Sequence, residues 1–461
     1  MVPHPPVIVP EIGRGEEKKL KDSTESFRRI ARDIAEKKPD LLVITSPHSI
    51  MYADYFHISP GTEAKGNFSR FGAGDVTFQA EYDTAFVSRL SELCAAEDFP
   101  AGTDGEKDPT LDHGVMVPLY FIREALPECR IVRIGLSGLS LEMHYKLGQL
   151  IARVAEELHR RVCFIASGDL SHCQLSTGPY GFKPEGPEYD GRLMDVMGRA
   201  AFGELFDFDE TFLEKAQECG HRSFVIMAGA FDRTGIKPTP LSHEATFGVG
   251  YGFAIFEPTG EDPSRNFAHQ YREKIRERIE SLKNSEDDYI RLARSAIEAY
   301  IKNREIIEIP RGLPSEMLSR RAGAFVSIHE DGLLRGCIGT TAPTTSSIAE
   351  EIISNAISAS TRDPRFSPIE PYELDKLEIS VDILGDLEKI SSPAELNVKR
   401  YGVVVSNGMR RGLLLPNLDG VDTIEEQISI AKRKAGISDS ENVELERFEV
   451  VRHEAGEETD V

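Results

Sequence analysis

Residues 16 to 38 read EEKKLKDSTESFRRIARDIAEKK, with Leu20, Phe27, Ile30, Ala31 and Ile34 on a helical period. This spacing predicts an amphipathic helix. The continuous apolar run DLLVITSPHS that follows at 40–49 predicts a buried strand ending at a proline. The alternation returns as RIVRIGLSG at 130–138, a helical LEMHYKLGQLIARVAEELHRR at 141–161, and VCFIASGDLSH at 162–172. Apolar strands alternating with amphipathic helices imply an α/β domain, a mainly parallel sheet with helices on both faces. In such a domain the chemistry sits in loops beyond the carboxyl ends of the strands.

The pattern changes near EPTGEDPSRNFAHQYREKIRERIESLKNSEDD, 257–288, where turn-forming residues give way to a charged helical stretch. This divides the chain into a first domain at 1–257, a linker with a charged helix at 258–287, and a second domain at 288–455. In the second domain, RLARSAIEAYIKN predicts an amphipathic helix. GAFVSIHEDGLLRGCIGT predicts a hairpin turning at Asp331-Gly332, while LEISVDIL and YGVVVSNGMRRGLLLP predict further antiparallel strands. The second domain is therefore expected to be α+β.

A length of 461 residues agrees with at least two cores. With 40% hydrophobic and 28% charged residues, the composition is that of a soluble globular protein. No apolar run is long enough to span a bilayer, and the opening MVPHPPVIVPEIGRGEEKK lacks the basic and apolar regions of a signal peptide. A cytoplasmic location without membrane association is the expectation. Six cysteines without a CxxC pair read as free thiols rather than a disulfide or zinc-ribbon framework. A net charge of −23 with no basic stripe disfavours nucleic acid as a partner. There is no GxSxG elbow, no GxxxxGK[ST] loop, and no GxGxxG opening a helix after a strand, which sets aside serine hydrolysis, phosphate-loop chemistry and dinucleotide binding.

The histidines carry the strongest chemical signal. His4 in VPHPP precedes an apolar run, His48 ends LLVITSPH, and His172 ends SGDLSH, so three imidazoles fall at apparent strand edges. His113 in LDHGVMVPLYFI opens an apolar segment. Any one histidine among twelve reads more simply as a packed or solvent-facing ring. Several in matching contexts point to a shared site, because neutral imidazole is a common metal ligand and also suits proton transfer near neutral pH.

These motifs, HPP, SPHS, DHGVMVPL, GDLSH and the later FGVGYG, resemble in order those of the class III extradiol ring-cleavage dioxygenases, in their LigB-type catalytic domain, and of the related Memo proteins. LLRGCIGT and STRDPRFSPI resemble the AMMECR1 domain, and the fused pair is similar to a component of the AmmeMemoRadiSam system. The first resemblance implies Fe(II) held by two histidines and a carboxylate, with His4 and His48 as the histidine ligands. It implies O2 and a small catechol- or aminophenol-like substrate. His172 would be the acid-base residue, Asp169 would orient its ring, and His113 would lie beside the substrate. At the third ligand position the Memo pattern aligns Cys219 of ECGHRSF, where the dioxygenases carry a glutamate; Glu218 is adjacent and Glu244 is a more distant candidate. A thiolate there favours zinc, copper(I) or a redox-active iron site. The system's name implies a radical SAM protein partner, and related dioxygenase domains commonly form dimers or larger oligomers.

In the second domain, Cys337 lies between Gly336 and Gly339 with Arg335 nearby, an arrangement in which a guanidinium would activate a thiol. Burial of an inert cysteine in a strand is the competing reading. Arg335, Arg362, Arg365 and Asn407 would form an anion-accepting face if the strands bring them together.

Overall fold

The computed structural model describes residues 1–330, 332–418 and 420–456, and its chain divides into two compact units, 1–272 and 273–461. In the first, strands β1 (Leu41–Ser46), β2 (Arg130–Gly135) and β3 (Val162–Ala166) form a parallel sheet in the order β2-β1-β3. Every residue of β1 is buried, as the unbroken apolar run requires of a central strand. Helices α1 (Lys21–Lys37) and α3 (His113–Ala125) cover one face, packing Phe27, Ile30 and Phe121 against Leu42, Ile44 and Ile131. Helices α2 (Thr84–Ala96) and α4 (Leu141–Glu157) cover the other, where Leu90, Leu147 and Ile151 meet Leu41, Val43 and Val132. The short helix α5 (His221–Ala230) packs beside them, and β4 (Thr234–Glu244) pairs antiparallel with β5 (Tyr251–Glu261).

The helix expected over 16–38 begins at Lys21, behind a 3-10 turn at Glu16–Lys19. Its first turn is capped from outside, by the Glu244 carboxylate on the Ser23 amide at 2.7 Å. The boundary region also differs in detail. Strand β5 runs four residues past 257, and helix α6 (Phe267–Ser285) begins inside the first unit, with Ala268 buried and Tyr271 stacked on Phe206 at 4.6 Å. Three apolar side chains, Phe267, Ala268 and Tyr271, hold that end of an otherwise charged helix to a core.

In the second unit β6 (Ala324–Glu330), β7 (Leu333–Gly339), β8 (Leu377–Leu384) and β13 (Val450–Glu454) form an antiparallel sheet in the order β7-β6-β8-β13. Helices α7 (Asp288–Asn303) and α8 (Ile348–Thr361) bury Ile297, Ile352 and Ala356 against Val326 and Val381. A second sheet, β9 (Glu388–Ile390), β12 (Glu444–Phe448), β10 (Gly402–Asn407) and β11 (Arg410–Leu414) in spatial order, packs Val403, Val405 and Leu414 under Ala431 of α9 (Ile424–Lys434). The fold is thus α/β followed by α+β. The hairpin joining β6 and β7 has the expected antiparallel register, and Asp331 of its turn lies outside the described residues. No helix among the described residues is long and apolar enough to cross a membrane.

Candidate metal centre

Parallel pairing aligns the carboxyl ends of β1 and β3, with Thr45 opposite Ala166. The chain therefore delivers His48, two residues past β1, and the Gly168–His172 loop past β3 to the same edge of the sheet. His4 arrives there because Val2 bridges to Ser167 as an additional parallel rung, anchored by the Val2 amide on the Ala166 carbonyl at 3.0 Å. Cys219 arrives from the turn before α5. A Cβ at Gly168 would overlap Gly220, so the absence of side chains at both positions lets these two segments touch.

The result is a compact cluster. His4 Nε2 lies 3.0 Å from His48 Nε2 and 3.7 Å from Cys219 Sγ. One donor atom from each of His4, His48 and Cys219 falls within 4.8 Å of the others, and the same holds for Asp169, His172 and Cys219. Cys219 thus belongs to both groups. His113, the first residue of α3, stacks on His48 with ring centroids 4.0 Å apart and meets His4 edge-on at 5.3 Å. Tyr180 covers His172 at 5.1 Å, and His172 Nε2 is buried without a hydrogen-bond partner among the described residues.

Burial sets the protonation states. It holds His4 well below the usual imidazole range, helped by neighbouring His48, and lowers His48 and His172. His113 falls to about 3, by burial first and then by repulsion from His48 and His4. The rings are consequently neutral at pH 7, the form in which imidazole binds a metal. Burial pushes the Asp169 carboxyl up to about 6 and raises the Cys219 thiol well above its ordinary value, so a cation binding there would displace the thiol proton.

Whether these residues suit a metal turns on the lone pairs. His4 Nδ1 is 3.0 Å from Ser167 Oγ, whose single hydrogen is directed to the Gly114 carbonyl at 2.6 Å. Ser167 therefore accepts from His4 Nδ1–H, and His4 Nε2 presents a lone pair toward His48 and Cys219. His48 Nε2 faces that atom across 3.0 Å. Two imidazole nitrogens and a thiol sulfur converging in a buried site fit a cation such as zinc, copper(I) or iron.

The sequence-derived residues fare differently in detail. His4, His48, His113, His172, Asp169 and Cys219 come together. Asp169, expected to orient His172, makes no hydrogen bond to that ring among the described residues. Its Oδ1 accepts the His4 amide at 2.7 Å and its Oδ2 lies 4.0 Å from His4 Nε2. Because the chain enters beside Ser167, the carboxylate meets His4 first. Glu218 directs its carboxylate to the His221 amide at the start of α5, at 2.6 Å, with burial pushing it up to about 7. Glu244, which caps α1, is likewise engaged away from the cluster.

Sequence reasoning missed Ser167, although it stands within the quoted ASGDLSH, and it missed Asp112. Asp112 accepts from Ser46 at 2.6 Å and Ser49 at 2.7 Å on either side of His48 and caps α3 through the Val115 amide. Aspartate directly before a histidine that opens an apolar helix was the available signal.

In the second unit, Ser327 Oγ donates to Cys337 Sγ at 3.2 Å and the Cys337 amide donates to Asp363 at 2.9 Å. Arg335 does not serve the thiol as expected. It clamps the buried Glu373 through Nε at 2.7 Å and Nη2 at 3.2 Å, and its Nη1 donates to the Ser367 carbonyl at 2.8 Å. A buried carboxylate with few other donors takes the guanidinium. Arg365 is clamped on Asp363 through Nε and Nη2, and Asn407 donates to Glu441 and to the Asn442 carbonyl.

Comparison with known proteins agrees with this division. Residues 1–254 match the family described as the catalytic LigB subunit of aromatic ring-opening dioxygenase, and residues 290–453 match AMMECR1. A Clostridium acetobutylicum protein, CA_C1420, is 42% identical over 98% of each chain. A Thermotoga maritima protein is 51% identical over 36% of this chain and 98% of its own length. The crystal structure of uncharacterized protein PH0010 from Pyrococcus horikoshii, 33% identical, covers 36% of this chain and 88% of that one, with a TM-score of 0.34. The chain belongs to the family of the catalytic LigB subunit of aromatic ring-opening dioxygenase, with an AMMECR1 domain in the same polypeptide.

Proposed function

We propose that the first domain is a metal-dependent oxidoreductase that acts with O2 on a small catechol- or aminophenol-like substrate. The observation that carries this reading is the convergence of His4, His48 and Cys219 beside a buried, unpartnered His172 Nε2. His4, His48 and Cys219 would hold the metal, with Fe(II) as the expected ion. Bound iron would supply a Lewis acid for a substrate hydroxyl and a site for O2.

The protein's own groups perform the rest. His172, kept neutral by burial, accepts a hydroxyl proton at Nε2 and later returns it. His113, neutral and stacked on His48, offers a hydrogen bond to the substrate or the oxygen beside it. Asp169 fixes His4 through its backbone. Tyr180 shields His172 from one side.

The third donor favours a second reading. It is a thiol, and the neighbouring carboxylate of Glu218 is engaged by the α5 amide. That donor set also suits a Memo-like metal-binding protein that does not cleave rings and works with a radical SAM partner. Metal analysis on protein purified without oxygen, combined with oxygen uptake on catechols and aminophenols, separates the two. Near-stoichiometric iron with substrate-dependent uptake supports the oxidoreductase. Zinc or copper with no uptake, and co-purification of a radical SAM protein, supports the second reading.

A further inference from the structure

We infer that Pro118 is a positioning residue for the metal centre, acting through Gly114 and Ser167 to fix the tautomer of His4. This rests on the metal-binding reading of His4 given above.

Pro118 lies inside α3, five residues after its start at His113. An ordinary residue at that position would donate its N–H to the carbonyl four residues back, which is Gly114. Proline has no N–H to give, so the Gly114 carbonyl lacks its helical donor in a buried setting. Ser167, fully buried at the end of β3, supplies the missing hydrogen at 2.6 Å. A hydroxyl has one hydrogen, so toward His4 Nδ1, at 3.0 Å, Ser167 acts only as acceptor. His4 therefore carries its proton on Nδ1 and keeps Nε2 bare toward His48 and Cys219.

The alternative is specific. If the Gly114 carbonyl had a helical donor, Ser167 would be free to turn its hydrogen toward His4 Nδ1. His4 would then carry its proton on Nε2, blocking the atom that faces the cluster. Pro118 has no hydrogen-bond donor to offer any candidate ligand, yet it removes this choice. An interior proline that weakens a helix is in this case the source of a metal-ready imidazole.

The test uses the full-length, metal-free chain. Nitrogen-15 NMR of the histidine rings should show wild-type His4 protonated at Nδ1 and bare at Nε2. Pro118→Ala should populate the opposite tautomer, and Ser167→Ala should remove the bias. Each should weaken zinc binding by about 10- to 100-fold, as loss of a partner that orients a ligand typically does.

The double variant Pro118→Ala/Ser167→Ala separates positioning from structure. The backbone N–H it gains in α3 satisfies Gly114, so it should recover stability lost in Ser167→Ala without recovering zinc affinity or the His4 tautomer. Stability and affinity recovering together would overturn the proposal, as would wild-type His4 bearing its proton on Nε2. If the tautomer is as described but the wild type binds no zinc, iron or copper, the metal reading fails while the relay stands. Should Ser167→Ala not fold, Pro118→Ala and the double variant still decide the matter.

Discussion

The two units treat their chemistry-bearing residues in opposite ways. At the edge of the first sheet, four imidazoles and a thiol crowd together, and His172 Nε2 is buried with no hydrogen-bond partner among the described residues. Around Cys337 three polar groups are matched: Arg335 by Glu373, Arg365 by Asp363, and the Cys337 amide by the same aspartate. Glu351, fully buried, accepts from the hydroxyls of Thr340, Thr344 and Thr345 and from two backbone amides. Burying polar groups unpaired costs stability and persists where a ligand completes them, whereas matched networks serve to fix a fold. The contrast is the one expected if the first unit carries the ligand chemistry proposed above and the polar residues described in the second serve its architecture.

The largest effects should come from breaking the first cluster. His48→Ala removes one of two converging nitrogens and should abolish stoichiometric metal binding, measured on anaerobically purified protein. Iron bound as well as by the wild type would show that the site is misassigned. His172→Ala should retain the metal and lower substrate-dependent oxygen uptake by about 10²- to 10⁴-fold, the range for loss of an acid-base group. Metal retention with loss of turnover separates its role from that of His48.

Much of this site was legible in the sequence because parallel sheets deliver their loops to one edge. SPHS and GDLSH each follow an apolar strand, and β1 and β3 are neighbours, so His48 and His172 had to approach one another. His4 was legible only through its motif, since two residues of pairing at Val2 do not register as a strand pattern. Partner choice was not legible. Arg335 and Cys337 are two apart in sequence, but the guanidinium turns to Glu373, 38 residues away, because a buried carboxylate attracts it more strongly than a thiol. The role of Asp169 shifted for a similar reason: proximity in sequence suggested His172, while the chain's entry beside Ser167 brought the His4 amide closer. Periodicity reports which face a residue occupies, and long-range hydrogen bonds decide what it does there.

The matched network of the second unit should respond to acid before it responds to any ligand. The Arg365 guanidinium holds the buried Asp363 carboxyl below the usual carboxylate range, assisted by the Cys337 and Arg365 amides. A depressed folded value contributes stability that is fully present above about pH 4, the unfolded carboxyl range, and is lost as pH falls through the folded value. Unfolding of the full chain, followed by hydrogen exchange at β7 amides, should show this loss between neutral and strongly acidic pH. Asp363→Asn should lower the protection of β7 at pH 7 by about 1.5–3 kcal/mol and flatten its acid dependence. An unchanged acid profile in Asp363→Asn would show that the pair does not set this stability.

The smallest predicted effect is the one that most sharpens the comparison. Cys337→Ser keeps a small side chain on β7 and preserves its backbone amide for Asp363, while Ser327 Oγ retains an acceptor at the former sulfur position. If the surroundings of Cys337 are architectural, the change should cost less than about 1 kcal/mol and leave metal content and oxygen uptake unaltered. Cys219→Ser in the first unit exchanges the same atoms, yet should weaken zinc or copper binding by at least about tenfold, because a hydroxyl is a poor substitute for a thiolate toward soft metals. Measuring both variants under one protocol sets the units against each other through a single chemical change. Loss of activity in Cys337→Ser with normal metal content would locate chemistry in the second unit and reverse the assignment drawn from its matched polar groups.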